Sequence, residues 1–188
     1  MTRLLLLCGL SVAGELPSRE GVVRRGDTPY TLVGPELTVG AAAPSASLRG
    51  DGLAQVQVDF ADGTIRVVTV VPSLDTATCA LQTRTFNADV SDLGERVEVL
   101  VVSRDLPFAQ ARFCGAHGID RVTPLSDFEA GDFGRAWGLY IQETGLLARA
   151  VYVIDDKGRV AYAQIVENVP DEPDYGAALT ATRALVAD

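Results

Sequence analysis

The chain has 188 residues, enough for one domain with small additions, and its 47% hydrophobic and 22% charged residues match an ordinary globular protein. A net charge of −9 and a pI of about 4.6 repel phosphate backbones and argue against nucleic-acid binding. Cys8, Cys79, Cys114 and a single histidine, His117, with no C-x-x-C pair, fit neither a structural zinc site nor a disulfide scaffold. In chain order, the first feature is an apolar run from Leu4 to Val12 that follows Arg3. It is much shorter than the ~20 residues a bilayer requires, so no membrane span is expected. It reads as a short signal peptide, as an N-terminal extension, or as sequence ahead of a later start. Residues 1–21 are therefore set apart from a domain over 22–188, and Cys8 is assigned no role.

Arg24 to Asp27 followed by Tyr30 to Val33 predicts a β-hairpin, with loops at Val39–Pro44 and Gly50–Gly52. Val56 to Phe60 alternates as a half-buried strand does, and Ala61 to Thr64 is a turn. From Val67 the pattern changes. Val67–Val71 and Val97–Val102 are near-continuous apolar runs, as expected of strands covered on both faces. Helices are predicted from Cys79 to about Val90, from Pro107 to Cys114, and from an N-cap at Ser126 through Trp137. Val122 starts a short strand between the last two. Ala150–Ile154 and Val160–Ile165 flank Asp155-Asp156-Lys157-Gly158 as a second hairpin, and Tyr175 to Val186 is the last helix. The order β-α-β-α-…-β-β-α implies an α/β domain of thioredoxin-like fold, a central mixed sheet flanked by helices with an N-terminal β-hairpin added.

Cys79 falls between the first buried strand and the helix that follows it. Unpaired N–H groups at a helix start favour an anion there, and a thiol lowered from about 8.5 becomes the nucleophilic thiolate. Thr76 lies three residues earlier, where its hydroxyl could reach the sulfur or a molecule bound beside it. Pro72 fixes the chain on entry and could shield the sulfur from water. The structural alternative is an ordinary buried cysteine with Thr76 as helix cap. For Arg149 the alternative is a surface charge on a strand edge.

Four separated strings decide between these. Pro72-Ser73-Leu74-Asp75-Thr76-Ala77-Thr78-Cys79 contains P-x-x-x-T-x-x-C. The others are Asp105 to Cys114, Leu147 to Asp155, and Glu172-Pro173-Asp174-Tyr175. Together they resemble the thiol peroxidase subfamily of the peroxiredoxins over about residues 22–188. The resemblance implies that Cys79 is the peroxidatic cysteine, that Thr76 and Arg149 bind its thiolate and the peroxide, and that Cys114 resolves it through a Cys79–Cys114 disulfide. It implies reduction of hydrogen peroxide and organic hydroperoxides, thioredoxin as reductant, a homodimer, a cytoplasmic location, and no metal, haem or flavin cofactor. Export is the alternative location if residues 1–20 act as a signal. Thr78 departs from the subfamily, which usually has Val there.

A disulfide needs Cα atoms within about 7 Å, which two separate wound helices are not expected to offer, so local unwinding around both cysteines is expected in each turnover. His117, Phe133 and Trp137 are read as structural, the first solvated at a helix end and the other two in the core. A dithiol oxidoreductase is disfavoured because Cys79 has no cysteine three residues away. A non-catalytic redox sensor using the same two cysteines stays open.

Overall fold

The computed structural model describes residues 15–89, 93–94 and 96–187. The apolar run Leu4–Val12, Cys8 and the last predicted residue of the first helix, Val90, lie outside them. In chain order the elements are β1 (Ser18–Arg25), β2 (Thr28–Val33), β3 (Ala46–Arg49), β4 (Gln55–Val58), β5 (Ile65–Val70), α1 (Ala77–Asp89), β6 (Val97–Ser103), α2 (Pro107–His117), β7 (Thr123–Ser126), α3 (Asp132–Ala136), β8 (Tyr140–Ile141), β9 (Ala150–Ile154), β10 (Val160–Ile165) and α4 (Tyr175–Ala187). Seven strands form one mixed sheet in the order β10-β9-β5-β6-β7-β3-β4. β5, β6 and β7 run parallel, and β9 pairs antiparallel to β5. The predicted N-terminal hairpin is β1–β2, which β8 extends into a separate three-stranded sheet.

The apolar runs are strands because both faces of the central sheet are covered. Every residue of β5 and β9 is buried. Alternation then splits the core in two. Val68, Val70, Leu100, Val102 and Tyr152 face a cluster with Phe133 and Trp137 of the α3 region and with Val23 and Leu32 of the hairpin. Val67, Val99, Val101, Val151 and Val153 face the other way, against Cys79 and Phe86 of α1, Phe113 of α2 and Ala178 of α4. Both cysteine-bearing helices therefore lie on one face, each leaving the carboxyl end of a parallel strand.

One expectation is corrected. Ser126 does not cap a helix; it ends β7, and only the five residues Asp132–Ala136 are helical. Gly131, at φ +71°, turns the chain out of the path a continuous helix would need. Asp127 supplies the cap instead, its carboxylate accepting the N–H groups of Phe133 at 3.1 Å and Gly134 at 3.0 Å. β3 was not foreseen. It is four residues long, and its alternation of buried Ala46 and Leu48 with exposed Ser47 is too brief to signal a strand without its partner β4.

Candidate active site

Val70 ends β5, Val71 still pairs with Val102, and Pro72 then leads into a turn that starts α1. The Thr76 carbonyl accepts the Ala80 N–H at 2.9 Å, so Thr76 caps the helix through its backbone. Its hydroxyl turns back and donates to the Ser73 carbonyl at 3.1 Å. With its proton so engaged, the hydroxyl oxygen is free to accept one from a ligand in the cleft. Cys79 follows in the first turn of α1, fully buried.

Arg149 immediately precedes β9, which lies next to β5, so its side chain reaches across to the start of α1. It is not a surface charge, since only 1% of it is exposed. Its guanidinium donates from Nη2 to Cys79 Sγ at 3.4 Å, from Nη1 to Gln82 Oε1 at 2.6 Å, and from Nε to the Val169 carbonyl at 3.1 Å. None of these partners is a carboxylate. The guanidinium thus places a positive charge against the sulfur with no acidic side chain hydrogen-bonded to it. The always-charged planar fork holds all three partners at once.

Gln82 is the residue the sequence reading passed over. It is fully buried, and its Nε2 donates to Thr69 Oγ1 at 2.6 Å while its oxygen holds Arg149. Its position three residues after Cys79, on the same helical face, was the available signal. Asp105 opens the string that ends at Cys114. Its carboxylate accepts the Ser73 hydroxyl at 2.7 Å, the Leu74 N–H at 2.8 Å and the Ser103 hydroxyl at 2.8 Å, fastening the entry to the Cys79 turn onto the end of β6. Thr78 donates to the Pro170 carbonyl at 3.1 Å.

Pro72, Thr76 and Arg149 together line a cleft of about 270 Å³. Ala77, Val169 and Pro170 make it apolar on one side, and Tyr30 and Ile141 of the hairpin sheet on the other. The N-terminal addition thus builds one wall of the site. Cys114 is elsewhere on the same face of the sheet. It is a half-buried free thiol on α2, packed at the margin of the cluster that contains Cys79, also free. Burial pushes the Cys114 thiol above its ordinary value. His117 ends α2, exposed, stacked on Phe113 with ring centroids 4.3 Å apart. Phe133 and Trp137 are core residues, as expected.

Residues 38–179 match the Redoxin family. The chain is 45% identical over 158 residues to a thiol peroxidase of Bacillus subtilis, covering 84% of this chain and 94% of that one. It is 43% identical over 152 residues to a thiol peroxidase of Oceanobacillus iheyensis, covering 81% and 92%. Among solved structures, a peroxiredoxin-like protein from Aquifex aeolicus superposes with a TM-score of 0.82 at 41% identity, over 92% of this chain and 99% of that chain. A thiol peroxidase from Chromobacterium violaceum shares the fold, with a TM-score of 0.75 at 23% identity over 84% and 93%. The chain belongs to the Redoxin family and, within it, to the thiol peroxidases of the peroxiredoxins.

Proposed function

We propose that this chain reduces hydrogen peroxide and organic hydroperoxides by a two-cysteine cycle on Cys79 and Cys114. The observation that carries the reading is the buried Arg149 guanidinium, 3.4 Å from Cys79 Sγ at the start of α1. The Cys79 thiolate attacks the outer oxygen of the peroxide. The O–O bond breaks, Cys79 becomes a sulfenic acid, and the other oxygen leaves with a proton as an alcohol or water. Arg149 offsets the charge of the attacking sulfur, and the Thr76 oxygen accepts a hydrogen bond from the peroxide O–H. The Cys114 thiolate then attacks the sulfenic sulfur. A disulfide forms and the sulfenic oxygen leaves as water. Two electrons from an external dithiol restore both thiols.

The apolar lining of the cleft supports organic hydroperoxides among the substrates. The likeness to the thiol peroxidases supports thioredoxin as the dithiol, a homodimer and a cytoplasmic site of action, with no metal or organic cofactor in the cycle. No described helix is long and apolar enough to cross a membrane. The test is thioredoxin-coupled NADPH consumption with cumene hydroperoxide. Cys79→Ser should abolish turnover, and Cys114→Ser should permit one oxidation of Cys79 but no coupled turnover. Steady consumption by Cys79→Ser would refute the mechanism. A single equivalent consumed by the unmodified protein would identify a sensor instead.

A further inference from the structure

α2 is anchored before Cys114 by its own side chains, and beyond the helix the chain is fixed again by buried Ile119 and by Asn87 Oδ1, which accepts the Asp120 and Arg121 N–H groups at 3.1 and 2.9 Å. Leu106 is extended, and Pro107 opens the helix. Gln110 is buried, donating to Ser103 Oγ at 3.0 Å and to the Leu125 carbonyl at 2.9 Å, and Phe113 is buried in the core cluster. After Cys114 the four residues Gly115 to Gly118 are all exposed. The two glycines in that stretch differ in kind. Gly118 ends the helix at φ +62°, a backbone that favours glycine. Gly115 lies within the helix with no positive φ, and a Cβ placed on it would meet no heavy atom within 4 Å. Neither conformation nor packing asks for glycine at 115. What glycine does there is weaken the helical turn next to Cys114, because it gains more freedom than any other residue when the turn unwinds.

We propose that Gly115 sets the rate of the resolving step by making the last turn of α2 easy to open. The assignment rests on the two-cysteine mechanism above and adds the residue that governs its second half. Opening this turn frees Cys114 between two fixed points, with Gln110 and Phe113 holding α2 before it and Ile119 holding the chain after it. Its speed has a consequence. Until Cys114 arrives, the Cys79 sulfenic acid can react with a second peroxide, giving a sulfinic acid and an alcohol or water, which ends the cycle. Fast opening favours the disulfide over that loss.

The experiment compares Gly115→Ala and Gly115→Ser with the unmodified protein. Reduced protein is mixed with cumene hydroperoxide, quenched in acid, and assayed by mass spectrometry for sulfenic, disulfide and sulfinic forms. In Gly115→Ala, Cys79 should oxidise at the unmodified rate. Disulfide closure should slow by about two- to fivefold, the sulfinic fraction should rise in proportion, and the melting temperature should rise. Gly115→Ser should fall between the two. Closure at the unmodified rate in a stabilised Gly115→Ala overturns the assignment. So does a lowered melting temperature, since it would mean that the folded turn needs glycine. Absence of any Cys79–Cys114 disulfide in the unmodified protein removes the mechanism and this assignment together; normal disulfide yield at unchanged closure rates removes the assignment alone.

Discussion

The two cysteine-bearing turns lie on the same face of the same sheet and are built in opposite ways. The Cys79 turn is held from three sides by contacts with segments distant in sequence: Arg149 at the sulfur, Asp105 at the entry, and the Pro170 carbonyl, to which the turn's own Thr78 donates. The Cys114 turn is held mainly by its own helix, with Phe113 beneath it, the His117 Nδ1 contact to the Phe113 carbonyl at 2.9 Å, and Ile119 and Asn87 fixing the chain just beyond it. The contrast follows from the chemistry proposed for each. A thiolate that must meet peroxide needs a charge and a dipole fixed before the reaction starts. A resolving thiol needs to travel. Of the two turns expected to unwind, the one on α2 is proposed as the softer.

Removing the strongest support on the Cys79 side should produce the largest effect. Arg149→Lys keeps a charge but loses the fork, so it cannot hold the sulfur, Gln82 Oε1 and the Val169 carbonyl together. Oxidation of Cys79 by peroxide should slow about 100-fold, the scale of losing one preorganised electrostatic contact. The disulfide step, followed from preformed sulfenic acid, should change by less than about threefold if α2 limits it. Equal slowing of both steps would show that the two turns are not independent.

Much of this arrangement was legible in the sequence. The β-branched runs announced the central strands, and the four strings announced Cys79, Thr76, Arg149 and Cys114. The burial of Arg149 was not legible, because a lone arginine beside a strand reads equally well as exposed; only the crossing of β9 beside β5 carries it under the sheet face. Gln82 and Asp105 were missed for a related reason. Each acts by joining segments that the chain separates, Gln82 reaching 67 residues to Arg149 and Asp105 reaching 31 residues to Leu74. The false helix start at Ser126 came from a sound local signal. Ser126 Oγ instead donates to the Asp105 carbonyl at 2.5 Å, so the residue serves the same joint between the two cysteine loops.

That joint gives the next largest effect. Asp105→Ala leaves the Ser73 hydroxyl, the Leu74 N–H and the Ser103 hydroxyl without their acceptor in a partly buried site. The fold should lose about 2 kcal/mol, measurable as a lower denaturant midpoint. Hydrogen exchange should rise in the Ser73–Thr76 turn more than at Gly115–Gly118. The reverse order would place the soft element on the wrong helix.

Raising the pH should speed closure by at most about tenfold per unit. Burial raises the Cys114 thiol in the folded helix, so the folded state holds that proton more tightly than the open one. Its stabilising effect is complete below the unfolded value of about 8.5 and is lost as pH rises through the higher folded value. Once the turn opens, Cys114 titrates near about 8.5, and only its thiolate attacks. Closure measured by rapid quench should therefore accelerate steadily from about pH 7 to about pH 8.5. A flat profile would mean that opening of the turn itself, and not ionisation of the released thiol, limits closure.

The smallest effect tests the brace at its weakest point. Thr78→Val keeps the shape of the side chain and removes only the hydroxyl that donates to the Pro170 carbonyl at 3.1 Å. Thr78 is half-exposed, so water can take over part of the lost bond. The cost should be about 0.5–1 kcal/mol, or a fall of about 1–4 °C in Tm. Its location matters more than its size. Hydrogen exchange should quicken in the first turn of α1 and stay unchanged around Cys114, because the lost tether joins α1 to the loop that precedes α4. If exchange instead quickens around Cys114 alone, the tether does not act on the Cys79 turn, and that turn would be held by Arg149 and Asp105 without it.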